Sequence, residues 1–253
     1  FGTIVTEVGT ETKDYMQLAS ELGTYTGGFD TSFNTYSRID GGNDVCNPLM
    51  WFHLKCLNTF LGPALDLVGE IFSQTSFADR RRIREIVLRE FAWAEHSAHS
   101  EGYNLASSRV FSHLSAAGRY NEYVNGATAY LALKDLANNY DQREEQFLSS
   151  LEQLRQMVFR RQGLTVSITA DSEGIQSFRN LSPAVINSLQ NLKMDSLVPQ
   201  FQHLERFEGL CTSAEVVYNV QGCSLFTDPA QYNGHFEVLR TWISRDYLWN
   251  TVR

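Results

Sequence analysis

Two stretches near the start of the chain alternate between apolar and polar residues, and this pattern constrains the fold most strongly. In the first stretch, residues 29–36, Phe29 and Phe33 lie on one face. A period of two predicts strands, and the intervening turn chemistry of Ser37–Pro48 predicts an antiparallel pair with one face on a core. In the second stretch, residues 49–57, one face carries Met50, Phe52, Leu54 and Cys56, and the other carries Trp51, His53 and Lys55.

Helical periodicity dominates most of the remaining chain up to residue 192, interrupted by one further alternating strand at 164–170. The strands and helices are grouped rather than alternating, so the predicted fold class is α+β, with an antiparallel or mixed sheet and helices packed on one face. The predicted helices are 1–8, 12–26, one carrying Leu61 to Phe72, one opened by a capping box at Ser76–Asp79 and bent near Gly102 before about Ala117, 128–159, and 173–192 with a break near Pro183.

The pattern changes after residue 192. Residues 193–208 are polar and weakly periodic, which predicts a connector, and a strand at 213–220 and a helix from about Gln231 follow. A unit of about 50 residues is too small to close its own core. Residues 209–253 are therefore predicted to begin a second, truncated domain, and the closing helix lacks a stop signal.

Charge and cysteine usage exclude several classes of partner. The formal net charge of −8 argues against nucleic acid and anionic membranes as main partners. No apolar run reaches the roughly 18 residues of a membrane span. Cys46, Cys56, Cys211 and Cys223 show no close-set framework, which predicts free thiols in a reducing compartment, with a Cys46–Cys56 pair across the hairpin as the alternative.

Candidate catalytic motifs are weak. His96 and His99 are neighbours on a predicted helix, but a zinc site needs a third ligand, and neither H-E-x-x-H nor H-x-x-E-H occurs. We predict that these histidines face solvent or pack between helices. Gly27-Gly28 is predicted to stop a helix rather than to bind phosphate. The basic cluster Arg80-Arg81-Arg82 with Arg84 is predicted to be a solvated face, with docking to an acidic surface as the alternative.

Taken together, several stretches resemble the pitrilysin/insulinase-type zinc metallopeptidases, specifically the presequence-protease subgroup. They occur in that family's order and span nearly the whole chain. The stretches are Glu21–Gly28, His99–Arg109, Leu114–Gly118, Leu151–Arg155 leading to Leu164–Asp171, and Tyr247–Arg253.

The resemblance implies a part of a larger enzyme built from four related α+β domains in two bowl-shaped halves. Residues 1–192 resemble the third domain without its first strand, 193–208 a connector, and 209–253 the start of the fourth. Zinc is bound in the family's first domain, so this chain is expected to hold no metal and no catalytic residue. Arg253 matches an arginine that binds substrate near the zinc, and its partner tyrosine would lie beyond residue 253.

The resulting hypothesis is a non-catalytic part of a zinc metalloendopeptidase that degrades unfolded peptides in an enclosed chamber. The expected partners are a peptide substrate and the catalytic N-terminal half of the same polypeptide, and self-association is a further expectation. The expected compartment is the bacterial cytoplasm, or alternatively a mitochondrial or plastid matrix. The alternatives are a catalytically silent homologue acting as a scaffold or peptide-binding subunit, and an unrelated helical α+β interaction domain.

Overall fold

A computed structural model describes residues 1–37, 46–193, 201, 203–211, 216–225 and 231–251. The strands are β1 (Gly28–Ser37) and β2 (Cys46–Lys55). The helices are α1 (Gly2–Glu7), α2 (Tyr15–Tyr25), α3 (Leu61–Gln74), α4 (Arg80–Ser100), α5 (Gly102–Ser112), α6 (Ala116–Asn125), α7 (Ala127–Asn138), α8 (Tyr140–Val158), α9 (Ser172–Ser188), α10 (His235–Trp242) and α11 (Leu248–Thr251). A π-helical turn, Ile243–Tyr247, joins α10 to α11, and we call residues 235–251 the C-terminal helix.

The predicted hairpin is confirmed. Strands β1 and β2 pair antiparallel, with Phe29 opposite Leu54 and Phe33 opposite Met50. Residues of one face are half-buried, and those of the other face are mostly exposed. Part of the predicted turn, residues 38–45, lies outside the described residues. Gly28 begins β1 with φ of +154°, a conformation that side chains disfavour, so the glycine pair serves the passage from α2 into the sheet.

Local signals explain the first helices. Asp14 caps α2 by accepting hydrogen bonds from the backbone N–H groups of Met16 and Gln17, and the Gln17 side chain completes a capping box. Buried leucine, valine and isoleucine side chains form the predicted stripe along α3. These elements thus follow from spacing and capping within single short stretches.

The core lies between the inner face of the hairpin and the helices. Phe72 of α3 stacks on Phe159 at 4.6 Å between ring centroids, and Phe52 of β2 meets Phe72 edge-on at 5.0 Å. Around this aromatic contact, one cluster joins α1, α2 and α3, and a second joins α1 to α4 and α8. Among the described residues, every buried apolar side chain lies at or before Leu189. The α+β class, with helices covering one face of an antiparallel sheet, is confirmed.

Two of the predicted helices are divided in the structure. The helix expected from Ser76 to about Ala117 is three helices, and its cap is Asp79, whose side chain accepts from the Arg82 N–H at 3.0 Å. The segment 128–159 divides into α7 and α8 at Asn139, because the Asn139 amide donates to the Asp135 carbonyl and carboxylate and competes with the helical backbone.

The other differences concern a proline and two strands. Helix α9 continues through Pro183, and it packs along α3, where Val185 lies against Gly69; this packing outweighs the cost of the proline. Residues 164–170 form neither helix nor strand, because no strand among the described residues lies beside them to complete a ladder. The predicted strand at 213–220 is wrong for its described part, 216–220, which is irregular, while residues 212–215 lie outside the described ranges.

Because residues 164–170 pair with no strand in the described part of the chain, their alternating apolar side chains are exposed to solvent. Val166 is 49% exposed, and Leu164 and Ile168 are similarly open. An unpaired segment of this kind offers free backbone groups and apolar side chains to another extended chain. No helix in the described part of the chain is long and apolar enough to cross a membrane.

Candidate functional site

Arg253, the residue predicted to bind substrate, lies beyond Thr251, where the described residues end. The helix that precedes it is exposed along nearly its whole length, with Phe236 and Ile243 half-buried. Trp242 and Trp249 are each more than half exposed, and no residue of the described helix is buried. The helix is predicted from sequence to begin near Gln231, whereas it begins at His235, after Gly234.

The C-terminal helix combines an open apolar stripe with charged groups. Val238, Thr241, Trp242 and Arg245 line a shallow groove along one side. On the same helix the Arg240 guanidinium donates to the Glu237 carboxylate at 2.7 Å, one turn away. Such a surface suits contact with another polypeptide, because exposed aromatic rings offer apolar area while the Arg245 guanidinium supplies donors.

The solvent-facing side of the hairpin is a second aromatic surface. Trp51 stacks on His53 at 6.2 Å between ring centroids, and Tyr36 meets Trp51 edge-on at 6.4 Å. His53 Nε2 lies 2.9 Å from Ser32 Oγ, and Asn34 donates to the same hydroxyl oxygen. The ladder brings these rings and polar groups to one face, where they can contact both the side chains and the backbone of an extended peptide.

The histidine pair does not fit a zinc ion. His96 is exposed and His99 half-buried near the end of α4, and the Tyr218 hydroxyl donates to the backbone carbonyl of Ser100 beside them at 2.9 Å. Within the described ranges, no three histidine, cysteine or acidic side chains converge as a metal site would require. No step through zinc is therefore assigned to this chain.

The basic cluster on α4 contacts acidic side chains of the same chain. Arg80 pairs with Glu144 of α8 at 3.0 Å, and Arg84 pairs with Asp141 at 2.7 Å. Arg82 donates to Glu7 at the end of α1. Arg80, Arg81 and Arg84 are exposed, as expected of a solvated face, and Arg82 is half-buried; the acidic side chains that they meet belong to the same chain.

The cysteines agree with the predicted free thiols. Cys46 begins β2 and Cys56 directly follows its last residue, so the two do not face each other across the hairpin. Both thiols are free, and the alternative pairing is wrong. Cys211 and Cys223 are exposed and also unbridged. Burial raises the pKa of the Cys46 and Cys56 thiols, which makes both poorer nucleophiles near neutral pH.

A buried ion pair between α5 and α6 is the main feature that sequence reasoning missed. The Glu122 side chain is 0% exposed, and its Oε1 lies 3.2 Å from the nearest guanidinium nitrogen of Arg109. The same oxygen accepts hydrogen bonds from the backbone N–H of Thr128 at 2.8 Å and from its hydroxyl at 3.1 Å. Gly126 leaves space for this carboxylate, because a Cβ there would lie 2.1 Å from Glu122 Oε2.

Arg109 also contacts a third segment. Its Nε lies 2.9 Å from Glu208 Oε2, although that N–H is not directed at the oxygen, so the contact is an ion pair rather than a directed hydrogen bond. Arg109 is the last residue of one of the stretches that carry the family resemblance, but the spacing of residues in the sequence indicates no role for it. An arginine and a glutamate on separate helices show no periodic relation that would pair them.

Comparison with known proteins identifies relatives along nearly the entire chain. The profile of a family described as peptidase M16C associated matches residues 1–136. Protein HypA of Clostridium perfringens (strain 13 / Type A) is 26% identical over 250 residues, which cover 99% of this chain and 25% of HypA. Presequence protease 1, chloroplastic/mitochondrial, of Arabidopsis thaliana is 24% identical over 248 residues, covering 98% of this chain and 23% of that protein. The chain thus spans about a quarter of the length of these curated relatives.

Proposed function

The chain belongs to the peptidase M16C associated family, as its motifs predict, and from this premise we propose that it is a non-catalytic part of a zinc metalloendopeptidase. The observation that carries the proposal is the match to presequence protease 1 over 98% of this chain but only 23% of that protein. A stretch of this size can contribute surface to a larger enzyme without itself carrying the catalytic centre.

The proposed role is to form part of the wall of an enclosed chamber and to contact unfolded peptides there. Two surfaces support it: the aromatic face of the hairpin around Trp51 and His53, and the exposed C-terminal helix that leads to Arg253. An arginine presents several donors in a fixed fork, which can hold a peptide carbonyl or stabilise developing oxyanion charge. The catalytic N-terminal half of the same polypeptide would supply the zinc ion.

The proposed domain division is a third-domain-like unit at 1–192, a connector at 193–208 and the start of a related domain at 209–253. The distribution of buried side chains supports it, because within the described residues the apolar core ends at Leu189. The exposed segment 164–170 supports the proposal that the first unit lacks a strand. The free cysteines support a reducing compartment, the bacterial cytoplasm or an organelle matrix.

The proposal is tested by Arg253→Ala in the complete polypeptide. We expect peptide turnover to fall roughly 100-fold, as for removal of one oxyanion donor, while zinc content stays the same. Arg240→Ala is the matched control, because Arg240 is largely exposed and pairs within its own helix turn. It is expected to keep wild-type turnover.

The 253-residue chain alone is the second arm and is expected to show no zinc-dependent cleavage. Unchanged kinetics in Arg253→Ala would remove that residue from the substrate site. A complete polypeptide that binds peptide, but does not bind zinc and does not cleave the peptide, would instead establish the silent peptide-binding subunit.

A further inference from the structure

The described residues between 201 and 222 form no helix or strand, yet they contact the surface of α5 and α6 at several points. We call residues 201–222 the strap; residues 202 and 212–215 within it lie outside the described ranges. The strap contacts these helices through an ion pair, an aromatic contact and close packing beside glycines.

The central contact is the ion pair between Glu208 of the strap and Arg109 of α5. The Arg109 side chain is only 12% exposed and lies between Glu122, which is fully buried, and Glu208, which is 29% exposed. The guanidinium therefore has two counter-charges. Glu122 supplies one from within the helix pair, and Glu208 supplies the other from the strap. A partly desolvated pair of this kind is stronger than one in open solvent but remains sensitive to salt.

An aromatic contact fixes the beginning of the strap. The Phe201 ring lies 5.0 Å from the Tyr120 ring, edge-on, and 5.2 Å from the Tyr123 ring. The Arg119 guanidinium lies 5.9 Å from the same phenyl ring. These three side chains of α6 form a seat for one aromatic residue.

Two contacts fix the end of the strap, one at the break between α4 and α5 and one near the end of α5. The Tyr218 ring fills the space beside Gly102, where a Cβ would lie 2.7 Å from the ring, and its hydroxyl donates to the Ser100 carbonyl. Gly222 packs closely against Val110, since a Cβ there would lie 2.8 Å from that side chain. The break between α4 and α5 is thus part of the seat.

We propose that residues 201–222 form a releasable intramolecular strap, that Arg109 is the positioning residue that holds it, and that the strap limits the reach of the C-terminal helix. An extended chain covers at most about 3.5 Å per residue. With Gly222 anchored, the start of that helix at His235 stays within about 45 Å of the anchor; with Leu189 as the last fixed point, the limit is about 160 Å. The proposal does not depend on the peptidase role.

The test is Glu208→Gln in the 253-residue chain, followed by limited trypsin digestion at low salt. Trypsin cleaves after Arg206, which is exposed within the strap, but the bond can enter the active site of the protease only when the surrounding segment leaves its anchored conformation. We expect the cleavage rate at Arg206 to rise at least about tenfold, because cleavage tracks the population of the open form. Glu205→Gln is the matched control, since Glu205 lies in the same segment and is exposed. It is expected to cleave at the wild-type rate.

Two further readouts separate release of the strap from general unfolding. Raising the salt concentration should speed cleavage at Arg206 in the wild type but not in Glu208→Gln, where the ion pair is already lost. Small-angle X-ray scattering should show a larger maximum dimension for Glu208→Gln, with an unchanged far-UV circular dichroism spectrum. Wild-type cleavage in Glu208→Gln, equal acceleration in Glu205→Gln, or an unchanged dimension would overturn the proposal.

Discussion

Glu122→Ala should destabilise the chain strongly, because it removes the buried counter-charge of Arg109. Breaking a buried ion pair by deleting one partner typically costs about 3–5 kcal/mol. The free energy of unfolding should fall by about 3 kcal/mol, the lower end of that range, since Glu208 still contacts the guanidinium. The loss includes the acceptor for the Thr128 N–H and hydroxyl, which Glu122 now satisfies.

Urea unfolding followed by far-UV circular dichroism measures this change, with linear extrapolation to water. For a chain of this size, a loss of 3 kcal/mol corresponds to a fall of about 6–12 °C in the thermal midpoint. Glu145→Ala is the control, because the Glu145 side chain is 77% exposed and its pair with Arg80 lies at the surface. That variant should match the wild type within experimental error.

Glu122→Gln separates charge from shape. The amide keeps an oxygen for Thr128 but leaves the guanidinium without its buried counter-charge, so an intermediate loss is expected. If Glu122→Ala cost less than about 1 kcal/mol, or no more than Glu145→Ala, the buried pair would not stabilise the α5–α6 junction and the reasoning would fail.

Two further predictions concern acid stability and self-association. Burial alone would raise the pKa of the Glu70 carboxyl, but hydrogen bonds from Lys13 and two threonine hydroxyls outweigh it and hold that pKa below its ordinary value. A depressed carboxyl pKa adds stability above the ordinary value of about 4.3 that is lost as pH falls through the folded-state pKa. Glu70→Gln should therefore cost about 1–3 kcal/mol at pH 7, and the gap should close in urea titrations carried to low pH; a gap independent of pH would contradict this. Val166→Lys should weaken concentration-dependent association in sedimentation velocity, because Val166 is the most exposed large apolar residue of the unpaired segment 164–170. The control Thr165→Lys should leave this association unchanged. Equal effects of the two variants would exclude the apolar alternation as the cause.

Local signals were sufficient for the hairpin and for the first three helices. The alternation that includes Phe29, Phe33 and Phe52 defines which face of the hairpin is buried, and a one-residue shift would reverse it. Helices α2 and α3 follow from a capping residue and an apolar stripe within single short windows. In each case the residues that determine the element lie within the element or next to it.

The rest depends on contacts between distant residues. The break at Gly102 agrees with the bend predicted there, but the Tyr218 ring that occupies it lies more than a hundred positions away, and no helical pattern indicates that contact. Residues 164–170 have a strand pattern but no neighbouring strand among the described residues. A strand also needs a partner for its backbone hydrogen bonds, which the pattern does not provide. Arg109 and Glu122 meet only because α5 and α6 pack together, which periodicity does not report.

Position and stability have different sources in the C-terminal helix. A helix of this length is marginal in water without an apolar surface to cover its stripe. Its described side chains are not buried, so the chain's own core, which ends at Leu189 among these residues, contributes little to its stability. The strap instead limits where the helix can lie. The ion pair at Arg109 and the contacts of Phe201 and Tyr218 shorten the free chain before the helix, without covering the apolar stripe of the helix. The helix is thus held near the first unit while its apolar stripe, including Trp242, stays exposed to a partner surface. The reach of Arg253 then depends on a salt-sensitive pair at Arg109, far away in the sequence.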